Sequence, residues 1–133
     1  MAMAMAMETP TFKVVVAGSR SIQDIKHVID ALDQAKKGGY IPEGARLEIV
    51  SGGAMGVDTL ARYVAEKFGF PLSEIKPDYS RHRRGAPFKR NTEMAIYGDV
   101  LVAVWDGESR GTQHMINQMR AQNKPVFLHR VQL

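Results

Sequence analysis

Three glycine-containing segments carry the residue types that could bind an anion, and each directly follows an apolar run. They are Gly18-Ser19-Arg20, Ser51-Gly52-Gly53-Ala54-Met55-Gly56-Val57-Asp58 and Asp106-Gly107-Glu108-Ser109-Arg110-Gly111-Thr112. Glycine lets the backbone approach a ligand closely, and the free N–H groups at a helix start favour negative charge. The middle segment alone is as compatible with a tight turn that binds nothing. Three such segments in one short chain predict a shared site.

Charged side chains supply the second chemical signal. Asp58 is predicted to lie in the first turn of a helix, where a carboxylate either complements the helix dipole or binds ligand hydroxyl groups. A basic segment without acidic residues contains Arg81, His82, Arg83, Arg84, Lys89 and Arg90. Such a segment suits a phosphorylated small ligand or a polynucleotide, and a solvated loop is the alternative.

The composition excludes several kinds of chemistry. The 133 residues carry a net charge of +4 and no cysteine, which rules out disulfides, thiolate metal sites and cysteine nucleophiles. His82 and His114 lack partners at metal-ligand spacing, so we expect no metal. We also expect no cofactor. No apolar run is long enough to cross a membrane. We therefore expect a cytoplasmic protein without a membrane partner, with a disordered or cloning-derived start at residues 1–10 and one domain at residues 11–133.

Apolar periodicity predicts the elements that position these residues. Strands are predicted at residues 12–17, 46–50, 71–77, 100–105 and 125–128. Helices are predicted from a Ser19 or Ser21 cap to Lys37, and at residues 57–68, 87–97 and 110–122. The basic segment is predicted to be a long functional loop. Alternating strands and helices indicate a three-layer α/β domain with a mostly parallel sheet of about five strands and helices on both faces. The glycine segments then lie together at the carboxyl edge of the sheet.

These motifs, together with Arg90-Asn91-Thr92-Glu93-Met94, resemble the SLOG superfamily of Rossmann-like nucleotide-binding domains. The similarity is greatest to its YspA/YpsA-related branch and extends from Lys13 to Val126. More distant relatives are the Lonely-guy phosphoribohydrolases, DNA-processing protein A, which loads recombinase on single strands, and sensor domains for NAD-derived signals. The resemblance implies the Rossmann-like fold and a nucleotide-type ligand.

One departure from the phosphoribohydrolases bears on catalysis. Those enzymes use an Arg-Lys pair and a glutamate three residues beyond a Gly-Thr dipeptide, whereas this chain has Arg90-Asn91 and Met115 at the corresponding positions. A carboxylate stabilises the positive charge that builds on the sugar, and methionine does not. We therefore expect a module that senses or sequesters a nucleoside monophosphate, ADP-ribose or an NAD-like molecule. The enzyme alternative, N-glycosidic hydrolysis of a nucleoside 5′-monophosphate, would use Asp58 and Arg90.

The resemblance also implies roles for individual residues. Gly18 and Ser19 are expected to face the base or ribose, and Asp106 to accept from ribose hydroxyl groups. Glycine N–H groups and the Thr112 hydroxyl are expected to hold phosphate. The expected ligand-binding residues are Gly18, Ser19, Arg20, Gly52, Gly53, Met55, Gly56, Asp58, Arg90, Asn91, Asp106, Ser109, Gly111 and Thr112.

Two further expectations concern partners. SLOG domains commonly pair, so the resemblance implies a homo-oligomer, a dimer or higher. A second alternative function is binding of single-stranded nucleic acid through the basic segment, with Arg81, Arg83, Arg84 and Lys89 on the phosphates.

Overall fold

The computed structural model describes residues 10–132. The predicted disordered or cloning-derived start therefore lies, up to residue 9, outside the described residues. The strands are β1 Phe12–Gly18, β2 Leu47–Ser51, β3 Leu72–Glu74, β4 Val100–Trp105 and β5 Val126–Arg130. The helices are α1 Ile25–Lys37, α2 Val57–Phe68, α3 Tyr79–His82, α4 Ala86–Tyr97 and α5 Arg110–Ala121. No helix in this part of the chain is long and apolar enough to cross a membrane.

The five strands form one parallel sheet in the order β3-β2-β1-β4-β5. The central strand β1 pairs with β2 on one side and β4 on the other, with Val14 opposite both Ile49 and Val100. Its valines are fully buried because helices cover both faces of the sheet. The predicted Rossmann-like architecture is confirmed. Between β1 and β4 the chain direction across the sheet reverses, which opens a crevice at the carboxyl ends of the strands.

The helices form two layers with separate apolar cores. On one face, α1 and α2 pack through side chains such as Val28 and Val64. On the other face, α4 and α5 pack mainly through Met94, Met115 and Met119. Met119 is fully buried.

The predicted start of α1 is wrong. The helix begins at Ile25, and the Asp24 carboxylate caps it by accepting from the Lys26 N–H at 2.9 Å. Ser19 and Ser21 are not caps, because both hydroxyl groups bond to Asp106 after β4 instead. These bonds join the segment that follows β1 to the segment that follows β4. Ile22 is buried in the turn before the helix.

The prediction of a long basic loop is also wrong. The segment forms the single turn α3 followed by a 3-10 turn over residues 83–85. The Asp78 carboxylate caps α3 by accepting from the Arg81 N–H at 3.2 Å. The preceding strand β3 is correspondingly shorter than predicted, at three residues.

Candidate functional site

A cleft of 530 Å³ opens at the carboxyl ends of the central strands. It receives residues from the end of β1 and the loop after it, from the β2–α2 loop and the first turn of α2, from α4, and from the β4–α5 loop and the first turns of α5. The lining residues are Ala17, Gly18, Arg20, Ser21, Ala54, Met55, Asp58, Pro87, Phe88, Arg90, Asn91, Met94, Asp106, Ser109, Arg110, Gly111, Thr112 and Met115.

The structure brings most of the expected ligand-binding residues into this cleft. Those that line it are Gly18, Arg20, Met55, Asp58, Arg90, Asn91, Asp106, Ser109, Gly111 and Thr112. Four others, Ser19, Gly52, Gly53 and Gly56, do not line it. The three predicted glycine segments thus meet at one edge of the sheet, but not every residue in them faces the open space.

Ser19 and Gly56 serve the packing of the backbone. The buried Ser19 hydroxyl accepts from the Asp106 N–H at 3.0 Å, and the Ser19 N–H donates to the Val104 carbonyl at 3.1 Å. Gly56 begins α2 with φ +74°, and a Cβ there would lie 2.5 Å from the Arg20 Cα. These two residues hold the segment that follows β1 against the β2–α2 and β4–α5 loops.

Three residues of the β2–α2 loop, Gly52, Gly53 and Ala54, use their N–H groups within the protein. The Asp58 carboxylate accepts from the Ala54 N–H at 3.0 Å and also bonds the Gly52 backbone. The Gly53 N–H donates to the Ser51 hydroxyl at 3.3 Å. Burial raises the pKa of Asp58, although these backbone bonds and Arg90 act in the opposite direction. The loop expected to hold phosphate is therefore already bonded to a carboxylate of its own chain.

Arg90 provides a positioned cation in the cleft. Its Nη1 donates to the Gly52 carbonyl at 2.5 Å, and its Nε donates to Asn91 Oδ1 at 2.9 Å. Asn91 is buried, and its amide nitrogen lies 3.1 Å from Nδ1 of His114 on α5. Burial lowers the pKa of Arg90, while Asp58 opposes that effect. Asn91 therefore orients Arg90 and ties α4 to α5.

The start of α5 offers the open donors of the site. The Ser109 hydroxyl accepts from the Thr112 N–H at 3.4 Å, and the Ser109 carbonyl accepts from the Gln113 N–H at 3.2 Å. Within residues 10–132, the N–H groups of Arg110 and Gly111 have no hydrogen-bond partner, as is usual in a first helical turn. A Cβ added at Gly111 would meet no atom within 4 Å. This helix start therefore faces open space with free donors.

Asp106 places an acceptor beside those donors. Its carboxylate accepts from the Glu108 N–H at 2.8 Å and the Ser109 N–H at 3.0 Å, and from the Ser21 hydroxyl at 3.1 Å. The bond from Glu108 is the largest of the effects that lower the pKa of Asp106 to about 2. The group is a carboxylate throughout the physiological pH range.

Eight of the residues that line the cleft are absent from the list of expected ligand-binding residues, and two of these, Phe88 and Arg110, have large side chains near its polar groups. Phe88 lines the cleft and is 52% exposed. Arg110 lines it as well. The sequence offered one indication that Phe88 could line the site: it lies two residues before Arg90 at the start of the same helix.

A family profile described as "YspA, cpYpsA-related SLOG family" matches residues 12–82, which is more than half of the chain. The chain belongs to this SLOG family. The matched region of the SLOG chain contains two of the three glycine segments. The sequence-based assignment to the superfamily is confirmed. None of the functionally curated proteins matches the chain significantly.

Solved structures with the same fold include two DNA-processing proteins. The chain is similar to DNA processing protein A from Helicobacter pylori at 21% identity and TM-score 0.64, covering 88% of this chain and 64% of that one. For the protein from Streptococcus pneumoniae, identity is 18% and TM-score 0.65, over 89% and 50% of the two chains. The SLOG chain thus spans 64% of the length of the first protein and 50% of the length of the second, less than two thirds of either.

A third similar structure is the structural genomics target TM1055. Identity is 22% and TM-score 0.60, and the alignment covers 87% of this chain and 72% of that one. At these identities the three structures establish the Rossmann-like fold.

Proposed function

We propose that the cleft binds a nucleotide or a nucleotide-derived small molecule, such as a nucleoside monophosphate, ADP-ribose or an NAD-like compound. One observation carries the proposal. Arg20, Arg90 and Arg110 line the same cleft as the free N–H groups at the start of α5, with the Asp106 carboxylate beside them. Cationic donors around a helix start suit phosphate, and a carboxylate acceptor suits ribose hydroxyl groups.

The dimensions of the cleft agree with this class of ligand. Its volume of 530 Å³ falls within the range of about 300–1,000 Å³ that is typical of small-molecule sites. Phosphate would lie near Gly111, where the structure leaves room and donors, rather than on the β2–α2 loop, where the Gly53 and Ala54 N–H groups are bonded to Ser51 and Asp58.

We favour a sensing or sequestering module over a hydrolase. The buried side chain of Met115 lines the cleft where the resemblance to phosphoribohydrolases would require a glutamate. Asp58 has a raised pKa, as a general acid or base would, but its carboxylate accepts from the backbone of its own loop. Glycosidic hydrolysis through Asp58 and Arg90 is therefore the less favoured alternative.

Native mass spectrometry with AMP, ADP-ribose and NAD tests the proposal, with solution products analysed in the same samples. Gly111→Trp fills the cleft without a backbone clash and is expected to abolish retention of the nucleotide. Ala121→Trp, at the exposed far end of the same helix, is the matched control and is expected to retain it. Retention of nothing by the wild type, or equal retention by both variants, would overturn the proposal. Release of free base would establish the enzyme alternative.

Single-stranded nucleic acid is the second candidate ligand. Arg81, Arg83, Arg84 and Lys89 are all exposed and lie directly before or on α4, which forms one wall of the cleft. The similar protein from Helicobacter pylori is described as binding single-stranded DNA.

Fluorescence anisotropy with labelled oligo(dT) tests this second candidate. If the basic segment neutralises phosphates, affinity falls by orders of magnitude between roughly 50 and 200 mM salt. Arg83→Ala combined with Arg84→Ala is expected to lower the salt slope, whereas Lys36→Ala combined with Lys37→Ala, on α1, is the charge-matched control. Binding that is insensitive to salt would exclude this mode.

The homo-oligomeric state remains a prediction, and sedimentation equilibrium of the purified protein measures it.

A further inference from the structure

The rim of the cleft carries apolar side chains that phosphate recognition does not use. Met55 and Phe88 line the cleft, yet their side chains are 73% and 52% exposed. Met55 precedes α2 in one helical layer, and Phe88 lies at the start of α4 in the other. Two large apolar groups therefore reach the same opening from the two faces of the sheet.

Phe88 is held in place from behind. Its ring packs edge-on against His114 of α5, with 4.7 Å between the ring centroids and an interplanar angle of 73°. His114 is itself fixed by the Asn91 amide at 3.1 Å. A positioned ring with an exposed surface suits stacking, because little side-chain freedom remains to be lost on binding.

The polar groups lie next to this ring. Arg90 is two residues beyond Phe88 on α4, while Asp106 lines the same cleft from the β4–α5 loop and Gly111 lines it from the start of α5. A ligand with phosphate near Gly111 and ribose near Asp106 would still have its third part, the heterocyclic base, unaccounted for. Ser19, which the resemblance implied would face the base or ribose, is buried and bonded to Asp106.

We propose that Phe88 is the stacking platform for the base of the ligand, with Met55 closing over the opposite side of that base. This inference rests on the proposed function, and it makes the site specific for ligands that contain an aromatic base over base-free sugar phosphates. Stacking on a side chain tolerates different bases, because each base has an aromatic face. The discriminating feature is therefore the presence of a base.

Isothermal titration calorimetry with AMP and ADP-ribose tests the platform, and ribose 5-phosphate, titrated by NMR, is the base-free probe. Phe88→Ala is expected to weaken nucleotide binding by about tenfold or more, as is typical for loss of one base–aromatic stack. Ribose 5-phosphate binding is expected to be unchanged. Phe88→Tyr keeps the aromatic face and should retain nucleotide affinity, whereas Phe88→Leu keeps apolar bulk alone and should not.

Phe68→Ala is the matched control, because Phe68 is 50% exposed and lies at the end of α2, outside the cleft. The platform is refuted if Phe88→Ala leaves nucleotide affinity intact, weakens both ligands equally, or alters only the sedimentation behaviour, which would make Phe88 a self-association residue. If the wild type binds no nucleotide, the proposed function itself fails. If the wild type binds a nucleotide and Phe88→Ala binds it with the same affinity, only the stacking inference is overturned.

Discussion

At the scale of single residues, the site depends on backbone positions that tolerate no side chain. Gly56 combines φ +74° with a position where a Cβ would lie 2.5 Å from the Arg20 Cα and 2.7 Å from the Ser19 carbonyl oxygen. Both neighbours are backbone atoms of the β1 exit, so they cannot move aside cheaply. The residue therefore connects the conformation of the β2–α2 loop to the position of Arg20 in the cleft.

Gly56→Ala is expected to lower the free energy of unfolding by about 2 kcal/mol or more, because positive φ and backbone overlap add to one another. Gly85→Ala is the control, since a Cβ there meets nothing within 4 Å and φ is −81°. That substitution is expected to change stability by less than about 1 kcal/mol. Urea denaturation measures both, and similar effects in the two variants would contradict this account of Gly56.

The lowered pKa of Asp106 leads us to expect that the stability of the protein depends on pH. Its folded-state pKa is about 2, below the ordinary value of 3.8, so the folded protein binds the proton less readily than the unfolded chain. The carboxylate therefore contributes stability that is fully present well above pH 4 and is lost as pH falls through about 2. Asp106→Asn should be less stable than the wild type at pH 7.

The stability difference between Asp106→Asn and the wild type should shrink as the pH is lowered from about 4 towards 2. Thermal or urea unfolding over this range measures it. Glu108→Gln, at an exposed position in the same loop, is the control. A difference that stays constant with pH would show that Asp106 contributes through shape and not through its charge.

At the scale of elements, helix starts determine which polar side chains remain available to the site. In α1 the cap is Asp24, so Ser19 and Ser21 are free to bond Asp106. In α5 the cap is Ser109, which satisfies the Thr112 N–H and leaves those of Arg110 and Gly111 open. In α2 no side chain caps the helix, and Asp58 bonds the preceding loop instead.

Asp24→Ala is expected to destabilise the protein by about 1 kcal/mol, the usual cost of losing an aspartate cap. Gln23→Ala, one residue earlier and exposed, should be nearly neutral. Chemical denaturation of both variants checks the assignment. A larger effect of Gln23 than of Asp24 would place the start of α1 elsewhere.

At the scale of the whole molecule, one parallel sheet lies between the two apolar cores, and its five strands pair in the unbroken order β3-β2-β1-β4-β5. We propose that residues 11–133 fold as a single domain. The Trp105 indole donates to the Ser109 carbonyl at 3.1 Å, so its fluorescence reports on the β4–α5 junction beside the cleft.

Unfolding is expected to be one cooperative transition in which Trp105 fluorescence and far-ultraviolet circular dichroism change together. Separate transitions would show that the β4–α5 side of the sheet unfolds independently. Equilibrium denaturation in urea, followed by both signals on the same sample, makes the measurement.

The local pattern of residues determined the elements and the edge at which they meet. The apolar run from Val100 to Trp105 and the stripe from Val57 to Val64 are properties of contiguous residues, and parallel connection then brings the glycine segments together. Arg90, Gly111 and Asp106 could therefore be placed at one edge before any coordinates were known.

Only the tertiary structure decided which polar groups face the cleft and which are bonded within the protein. Ser21 and Asp106 are 85 residues apart in the chain, and Asn91 and His114 are 23 apart, so no local pattern reveals that they bond each other. The same holds for Phe88, whose exposure depends on where α5 packs. The same polar side chain can form a hydrogen bond with the protein or with a ligand. Which of the two it does depends on the groups that folding brings within hydrogen-bond distance of it.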